Sequence, residues 1–317
     1  MPRFLQRSHP LPWKGLINRI LPSGLSPLDR ILGYGERVLI RRILAVDEYR
    51  SRTPPVMMAR AQRRHWRFTL VDITSSLWTD FLGQIREAKN QLGAPETLWY
   101  RGHPNSKFYL LASLLRYKNG LDKEQQLFGD FKRFSDRILR RKESDWETLF
   151  DMQHYGVPTR LLDWSETFGV ALFFAATYNQ SHHPSADAAI YLLDPIALNR
   201  LSGISSIYHV PRDEAKFDYR KIYWDHNPFA PIAPIAIEPL FSNDRMLAQR
   251  GMFTVHHDKI DPLEDAFPTA IKKVVIPNAL IPACLEFLEL SNLNMFSVFP
   301  DLAGLADYLA NTSGLER

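Results

Sequence analysis

The sequence predicts an α+β fold, a small, mixed, mostly antiparallel sheet flanked by helices, in one body from about residue 70 to 312. Three observations lead there. Strand-like runs are short and widely separated by helical ones. Twenty-two prolines against 15 glycines point to many stiff connections between short elements and away from an all-helical bundle. Forty-five per cent hydrophobic and 23% charged residues over 317 positions supply a core and exclude a wholly disordered chain.

Residues 1–68 stand apart as an N-terminal arm. Pro10, Pro12, Pro22, Pro27, Pro54 and Pro55 leave room for short helices, the best being Leu28 to Tyr49, on which Arg41 and Arg42 fall. From Trp66 to Ile73 the alternation suits a strand or its approach, and Ser75 or Ser76 caps a helix from Trp78 to Gln91. Thr97 to Gly102 is β-rich and halts at Gly-His-Pro, a short strand with Arg101 at its edge. Asp122 to Lys142 is an amphipathic helix, with Leu127, Phe128, Phe131, Phe134, Ile138 and Leu139 at near-helical spacing. Ser144-Asp-Trp-Glu147 has the form of a capping box and opens another helix, which Gly156 and Pro158 stop. A turn follows. The next helix, through Phe168 to Ala176, is apolar nearly all round and so is buried.

Asp187 to Leu193 reads as a strand closed by Asp194-Pro195, and 202–234 as a polar loop excursion. Ile235 to Glu238 is strand, Asn243 to Gln249 a short helix that Gly251 stops, and Met252 to His256 and Lys272 to Ile276 are strands. Helices at 279–290 and 302–310 complete the chain.

Charge divides the chain in the same place. Residues 1–68 hold 14 Lys and Arg, 13 of them Arg, against four acids, a balance of +10, whereas 69–317 carry −6. Such an arm suits contact with nucleic-acid phosphates, because each neutralised phosphate releases condensed counterions. Arg41, Arg42, Arg63 and Arg64 are its candidate DNA contacts, and docking on a protein partner is the competing reading. Cys284 is the one cysteine, so no internal disulfide is available, and its apolar surroundings read as half-buried helix. No run approaches the roughly 18 apolar residues that cross a bilayer. A cytoplasmic chain with no membrane association is the expectation.

The common enzyme signatures are missing: no Walker loop, no dinucleotide G-x-G-x-x-G, no G-x-S-x-G elbow and no Cys/His zinc spacing. His182-His183 and His256-His257-Asp258 are set aside as metal ligands because adjacent residues on a strand point to opposite faces, and no metal is expected. Three polar features remain. Arg101 is one. Gln153 to Trp164 packs Gln153, His154, Tyr155, Thr159, Arg160 and Asp163 between two apolar helices, as a buried network containing an Arg160–Asp163 pair or as a ligand-facing cluster. Asn243 to Gly251 places Arg245 and Gln249 at i, i+4 on one helical face.

Taken in order, Tyr100-Arg-Gly102 with Leu110, Ser113-Leu-Leu and Arg116, then Gln153 to Trp164, then Arg245-x-x-x-Gln249-x-Gly251-x-Phe253, and finally Phe299 to Leu305, resemble the FRG domain, named for its (F/Y)-R-G motif. The resemblance covers roughly 75–310, within a domain assigned to 69–317. It implies an ADP-ribosyltransferase-like fold and activity, with NAD as co-substrate and thymidine in DNA as acceptor. Under that resemblance Arg101 holds the NAD phosphates or ribose, and His154 and Tyr155 stack on or hydrogen-bond the nicotinamide ribose. Arg160 reaches a phosphate or base, and Gln153, Thr159 and Asp163 line the same co-substrate.

His154, Tyr155 and Gln249 join Arg101 as catalytic candidates, and Arg245 joins the arm's arginines as a nucleic-acid contact. Many transferases of that superfamily place a Glu on a late strand. Gln249 stands in the comparable motif and can hydrogen-bond a ribose hydroxyl but not take a proton, so Asp163, Glu166 and Glu238 are the reserve acids. A toxin or phage-defence role suits base modification. The alternatives are a non-catalytic nucleotide- or nucleic-acid-binding module and an NAD glycohydrolase. Arg101, His154, Tyr155, Arg160 and Gln249 are expected in one cleft.

Overall fold

The computed structural model describes residues 71–139, 144–210, 217–259 and 261–313. The arm, with Arg41, Arg42, Arg63 and Arg64, lies outside the described residues. Among the described residues seven strands form one sheet: β1 (Trp99–His103), β2 (Leu161–Ser165), β3 (Ala188–Leu193), β4 (Tyr208–His209), β5 (Ile235–Glu238), β6 (Gly251–Val255) and β7 (Ile271–Ile276). Their order is β4-β5-β6-β2-β1-β3-β7, and all pairs are antiparallel except β4 with β5. The mixed, mostly antiparallel sheet is the one the sequence predicts.

The longer helices are α1 (Ser76–Gln91), α2 (Gly120–Leu139), α3 (Asp145–His154) and α4 (Phe168–His182). They are followed by α5 (Pro195–Leu201), α6 (Tyr219–Tyr223), α7 (Asp244–Gln249), α8 (Leu263–Ala266), α9 (Ile281–Leu290), α10 (Met295–Val298) and α11 (Leu302–Thr312). Their starts follow local chemistry. The Ser75 hydroxyl accepts from Trp78 N at the head of α1, and Ser144 and Glu147 close a reciprocal capping box at the head of α3. Gly156, at φ 77°, takes the left-handed turn that ends α3.

β3, Ala-Ala-Ile-Tyr-Leu-Leu, is buried along its whole length because strands flank it on both edges and helices or side chains cover both faces. One face packs on α1, α4 and α9, with Phe81, Leu172, Ile190 and Leu280 among the buried residues. The other face holds Trp99, Trp164, Tyr191 and Leu263. A third cluster, around Trp146, Phe150, Phe217 and Phe253, joins α3 and α6 to β5 and β6. Cys284 is fully buried rather than half-buried, and burial pushes its thiol up to about 12.

The structure departs from the sequence-based reading at several elements. Residues 202–234 are no loop excursion throughout: β4 and α6 lie there, and Phe217, Tyr219, Ile222 and Tyr223 are core residues. Leu161–Ser165 is a central strand rather than a turn, with Asp163 its one exposed position. Asp194-Pro195 opens α5, since the Asp194 carboxylate accepts from Ile196 N and Ala197 N and Pro195 sits in the first turn. Val71–Ile73 carries no strand; Ile73 N donates to Glu286 Oε2 instead. Arg250, at φ 46°, makes the turn after α7, and Gly251 starts β6.

Candidate functional site

β1 and β2 share the pair Tyr100↔Ser165 and then turn to outer partners, Arg101–His103 to β3 and Leu161–Trp164 to β6. The sheet is split at its centre, and the site lies at the split. Backbone groups facing such a gap need other partners, because an unmade buried hydrogen bond is costly. Arg101 supplies one: its Nη1 donates to the Asp163 carbonyl and lies 3.6 Å from Asp163 Oδ2.

The residues around Arg101 follow from strand alternation. Trp99, Arg101 and His103 share one face of β1, and Gly102 faces α4. A Cβ on Gly102 would lie 1.8 Å from the Ala171 carbonyl oxygen, so only glycine lets α4 pack this close. Arg101 Nε donates to His103 Nε2 at 3.1 Å. That bond assigns His103 the tautomer whose Nδ1–H points to the Phe108 carbonyl, 3.3 Å away. Burial, reinforced by the Arg101 charge, depresses the His103 imidazole to about 3, so it is neutral and able to accept. Burial also loosens the proton of Arg101 while Asp163 opposes the shift; the guanidinium remains a cation near neutral pH.

Asp163 is the hub of a polar chain. Its Oδ2 accepts from Gln153 Nε2 at 2.8 Å, and Gln153 Oε1 accepts from the Thr159 hydroxyl at 2.6 Å. Thr159 N donates to the Ser113 hydroxyl, tying the segment after β1 to the turn before β2. Gln153 and Thr159 therefore orient the carboxylate beside Arg101.

From the far side, α7 brings Arg245 and Gln249 into the same cleft, which Asp163, Trp164 and Ser165 floor. Arg245 lies over the Phe299 ring at 4.7 Å. Gln249 Nε2 donates to the Val298 carbonyl, and the Gln249 main-chain carbonyl accepts from the Ser165 hydroxyl. The cleft continues past Gln249 to Gln153 and His154. Burial first, then the Arg245 charge, holds the His154 imidazole below its ordinary value. Asp163 is the carboxylate among the described residues lining this cleft.

Arg101, Gln249, Arg245, Asp163, Gln153 and His154 thus share one cleft. Tyr155 is 56% exposed, with its ring edge-on to His154, and does not line it. Arg160 is elsewhere. Its Nε and Nη2 bind the two Glu124 oxygens at 2.7 Å each, Nη1 binds Asp258 at 2.6 Å, and its side chain is 4% exposed. The expected Arg160–Asp163 pair is not formed, because residues 160 and 163 point to opposite sides as β2 begins and Asp163 turns to Arg101. Glu238 is 3.4 Å from His209, and neither Glu238 nor Glu166 lines the cleft. Sequence reasoning missed His103, although the alternation Trp99, Arg101, His103 was available to place it beside Arg101. Among the described residues no group of three or more His, Cys, Asp or Glu is placed to hold a metal ion, and no helix is long and apolar enough to cross a membrane.

A mixed α/β protein with an arginine-centred cleft at a split in its sheet is the class these observations define. Residues 96–184 match the FRG domain, so over that stretch the chain is similar to FRG-domain proteins. No curated protein and no solved structure matches the chain. The match takes in Arg101, Gln153, His154 and Asp163; Arg245, Gln249 and Phe299 lie beyond it, and the fold carries them to the same cleft.

Proposed function

We propose that the protein is an NAD-dependent ADP-ribosyltransferase whose acceptor is a nucleic-acid base, thymidine in DNA being the acceptor the FRG resemblance implies. One observation supports this reading above the others: three stretches far apart in sequence bring two arginines, a carboxylate, an imidazole and two amides to one cleft. The donor set suits a dinucleotide diphosphate, since arginine forks match phosphate oxygens.

In the proposed reaction the bond between nicotinamide nitrogen and ribose carbon breaks, and its electron pair leaves with nicotinamide. The acceptor atom bonds to the anomeric carbon and gives up its proton. Positive character develops at that carbon, so the task of the site is to clamp both sides of the bond and orient the acceptor. Arg101 and Arg245 clamp the phosphates, Gln249 orients a ribose hydroxyl, and Asp163 takes the acceptor's proton. The arginine-rich arm adds phosphate contacts, with docking on a protein partner as the competing role.

The test is incubation of the full chain with NAD labelled in the adenylate half, with and without single- and double-stranded DNA. Label on DNA with release of nicotinamide is expected. Release without label on DNA identifies an NAD glycohydrolase. No release at all leaves a non-catalytic binding module, the reading favoured by a glutamine, unable to take a proton, at position 249.

A further inference from the structure

A second recess opens from the cleft. It occupies about 440 Å³ beyond the far end of β1 and shares Arg101, Gly102 and Phe174 with the cleft. Its wall carries three cations, Arg101, Lys107 and Arg116, and none of the residues lining it is a carboxylate. Arg116 is fixed in place, because its Nε and Nη2 both donate to the Leu111 carbonyl, at 3.0 and 2.8 Å. Its rim is aromatic. Tyr109 is 63% exposed and Phe108 43% exposed, and Tyr178, its ring stacked with Phe174 and His182, lines the recess with them.

Phe108 and Tyr109 are neighbours in the chain and both keep ring surface open at the recess, Phe108 meeting His183 edge-on at 5.1 Å. Here they line the same groove as the three cations. This is the composition of a surface that binds an unpaired strand, where bases stack on aromatic rings and cations follow the phosphates. Duplex DNA offers phosphates but keeps its base faces stacked inside, so rings at the rim gain nothing from it. The groove also leads somewhere: a strand lying in it ends at Arg101, the residue the two cavities share.

We infer that the groove of Lys107, Phe108, Tyr109, Arg116 and Tyr178 is a binding track for single-stranded nucleic acid that presents a base to the cleft. What the base is presented for rests on the transferase reading. Binding to the track does not, because it needs no NAD.

The experiment measures binding of a fluorescent oligothymidylate to the full chain, without NAD, at several salt concentrations. Truncating both rings, Phe108→Ala with Tyr109→Ser, is expected to weaken binding at least about tenfold while leaving the salt slope unchanged, since stacking is lost and no phosphate contact is. Lys107→Gln is expected to lower the log–log salt slope by about 0.7. A duplex of the same length should bind the double variant as it binds the parent protein. Unchanged oligothymidylate affinity in the double variant overturns the proposal. Equal weakening for single and double strands overturns it too, as does a weakened affinity for ADP at unchanged oligonucleotide affinity, which would make the groove a dinucleotide site. Both rings are exposed, so the fold should tolerate the change; if the double variant fails to fold, Tyr109→Ser alone, judged against the same thresholds, decides. A tight track on a protein that releases no nicotinamide would sink the transferase reading and leave the track standing.

Discussion

Arg101 and Arg160 are two inward-facing arginines with carboxylate partners, and the partners set them different tasks. Arg160 is enclosed: both Glu124 oxygens, Asp258 and the hydroxyl of Tyr219 on Glu124 complete a closed network. Burial works against its charge, but the Glu124 and Asp258 bonds outweigh it and hold the guanidinium protonated. Removing one member of such a network strands a buried charge, so Arg160→Met should cost about 3–5 kcal/mol, read as a fall in the urea midpoint, while activity per folded molecule is retained. Arg101 keeps 21% of its side chain exposed at the cleft mouth. Arg101→Lys preserves the charge and loses the fork; on the proposed transferase function it should lower labelling of DNA by about a hundredfold or more, with a thermal midpoint near the parent's. If Arg101→Lys unfolds the protein and Arg160→Met abolishes activity without unfolding it, the two roles are reversed. Arg160 stands out in the sequence because it lies in the dense polar segment Gln153 to Trp164, whereas Arg101, at the edge of a β-rich strand, is singled out by the Tyr100-Arg-Gly102 resemblance. Sequence reasoning did not separate their tasks, since the partners that decide, Glu124 and Asp258, are 36 and 98 residues from Arg160.

Among the elements, α4 and β1 show how tightly the site depends on packing. α4 is apolar almost all round and crosses β1 where Gly102 leaves no side chain, so that the Ala171 carbonyl lies where a Cβ would be. Gly102→Ala must push α4 off the sheet, because the obstructing atoms are backbone and have no rotamer to yield. The variant should lose about 3 kcal/mol or more, and its activity should fall further than its stability because Arg101 is the adjacent residue. Equal stability in a denaturant melt would mean that α4 is not held as described. Helices α1 and α3 were legible because Ser75 and Ser144 mark their starts, and α2 because its apolar spacing is helical. Strand β2 was hidden. Its sequence, Leu-Leu-Asp-Trp-Ser, follows a Gly-Val-Pro turn and carries a charge in its middle, and only the split beside β1 gives Asp163 a place to point. α6 was hidden for another reason: its buried residues are mostly tyrosines, whose hydroxyls read as polar while their rings form core.

Across the whole molecule, the residues from 69 on carry a net −6, yet Arg101, Lys107, Arg116 and Arg245 face one cleft and its adjoining groove, where Asp163 is the carboxylate among the described lining. Gathering cations in a partly buried place penalises any neighbour that must also become positive. Two buried histidines feel this. Burial, with the Arg101 charge, holds His103 at about 3, and burial, with His257 and then Arg101, holds His256 at about 3. In the unfolded chain both titrate near 6.5. Between these values the unfolded state binds more protons than the folded one, so stability rises with pH from about 3 to 6.5 and is level above it. Each histidine contributes a slope of up to about 1.4 kcal/mol per pH unit in that window. Urea melts should therefore coincide at pH 7 and 8 and shift to lower midpoint from pH 6.5 downward, before most carboxylates begin to titrate. His256 is the better probe of the two, because its Nε2 is buried and meets no hydrogen-bond partner among the described residues, so His256→Leu removes a titrating group without stranding a donor. That variant should show a shallower loss between pH 6.5 and 5 than the parent. Parallel profiles for the two proteins would mean that His256 takes up its proton in the folded state as readily as in water, and that burial, with the charges of His257 and Arg101 added, does not hold its imidazole down as described.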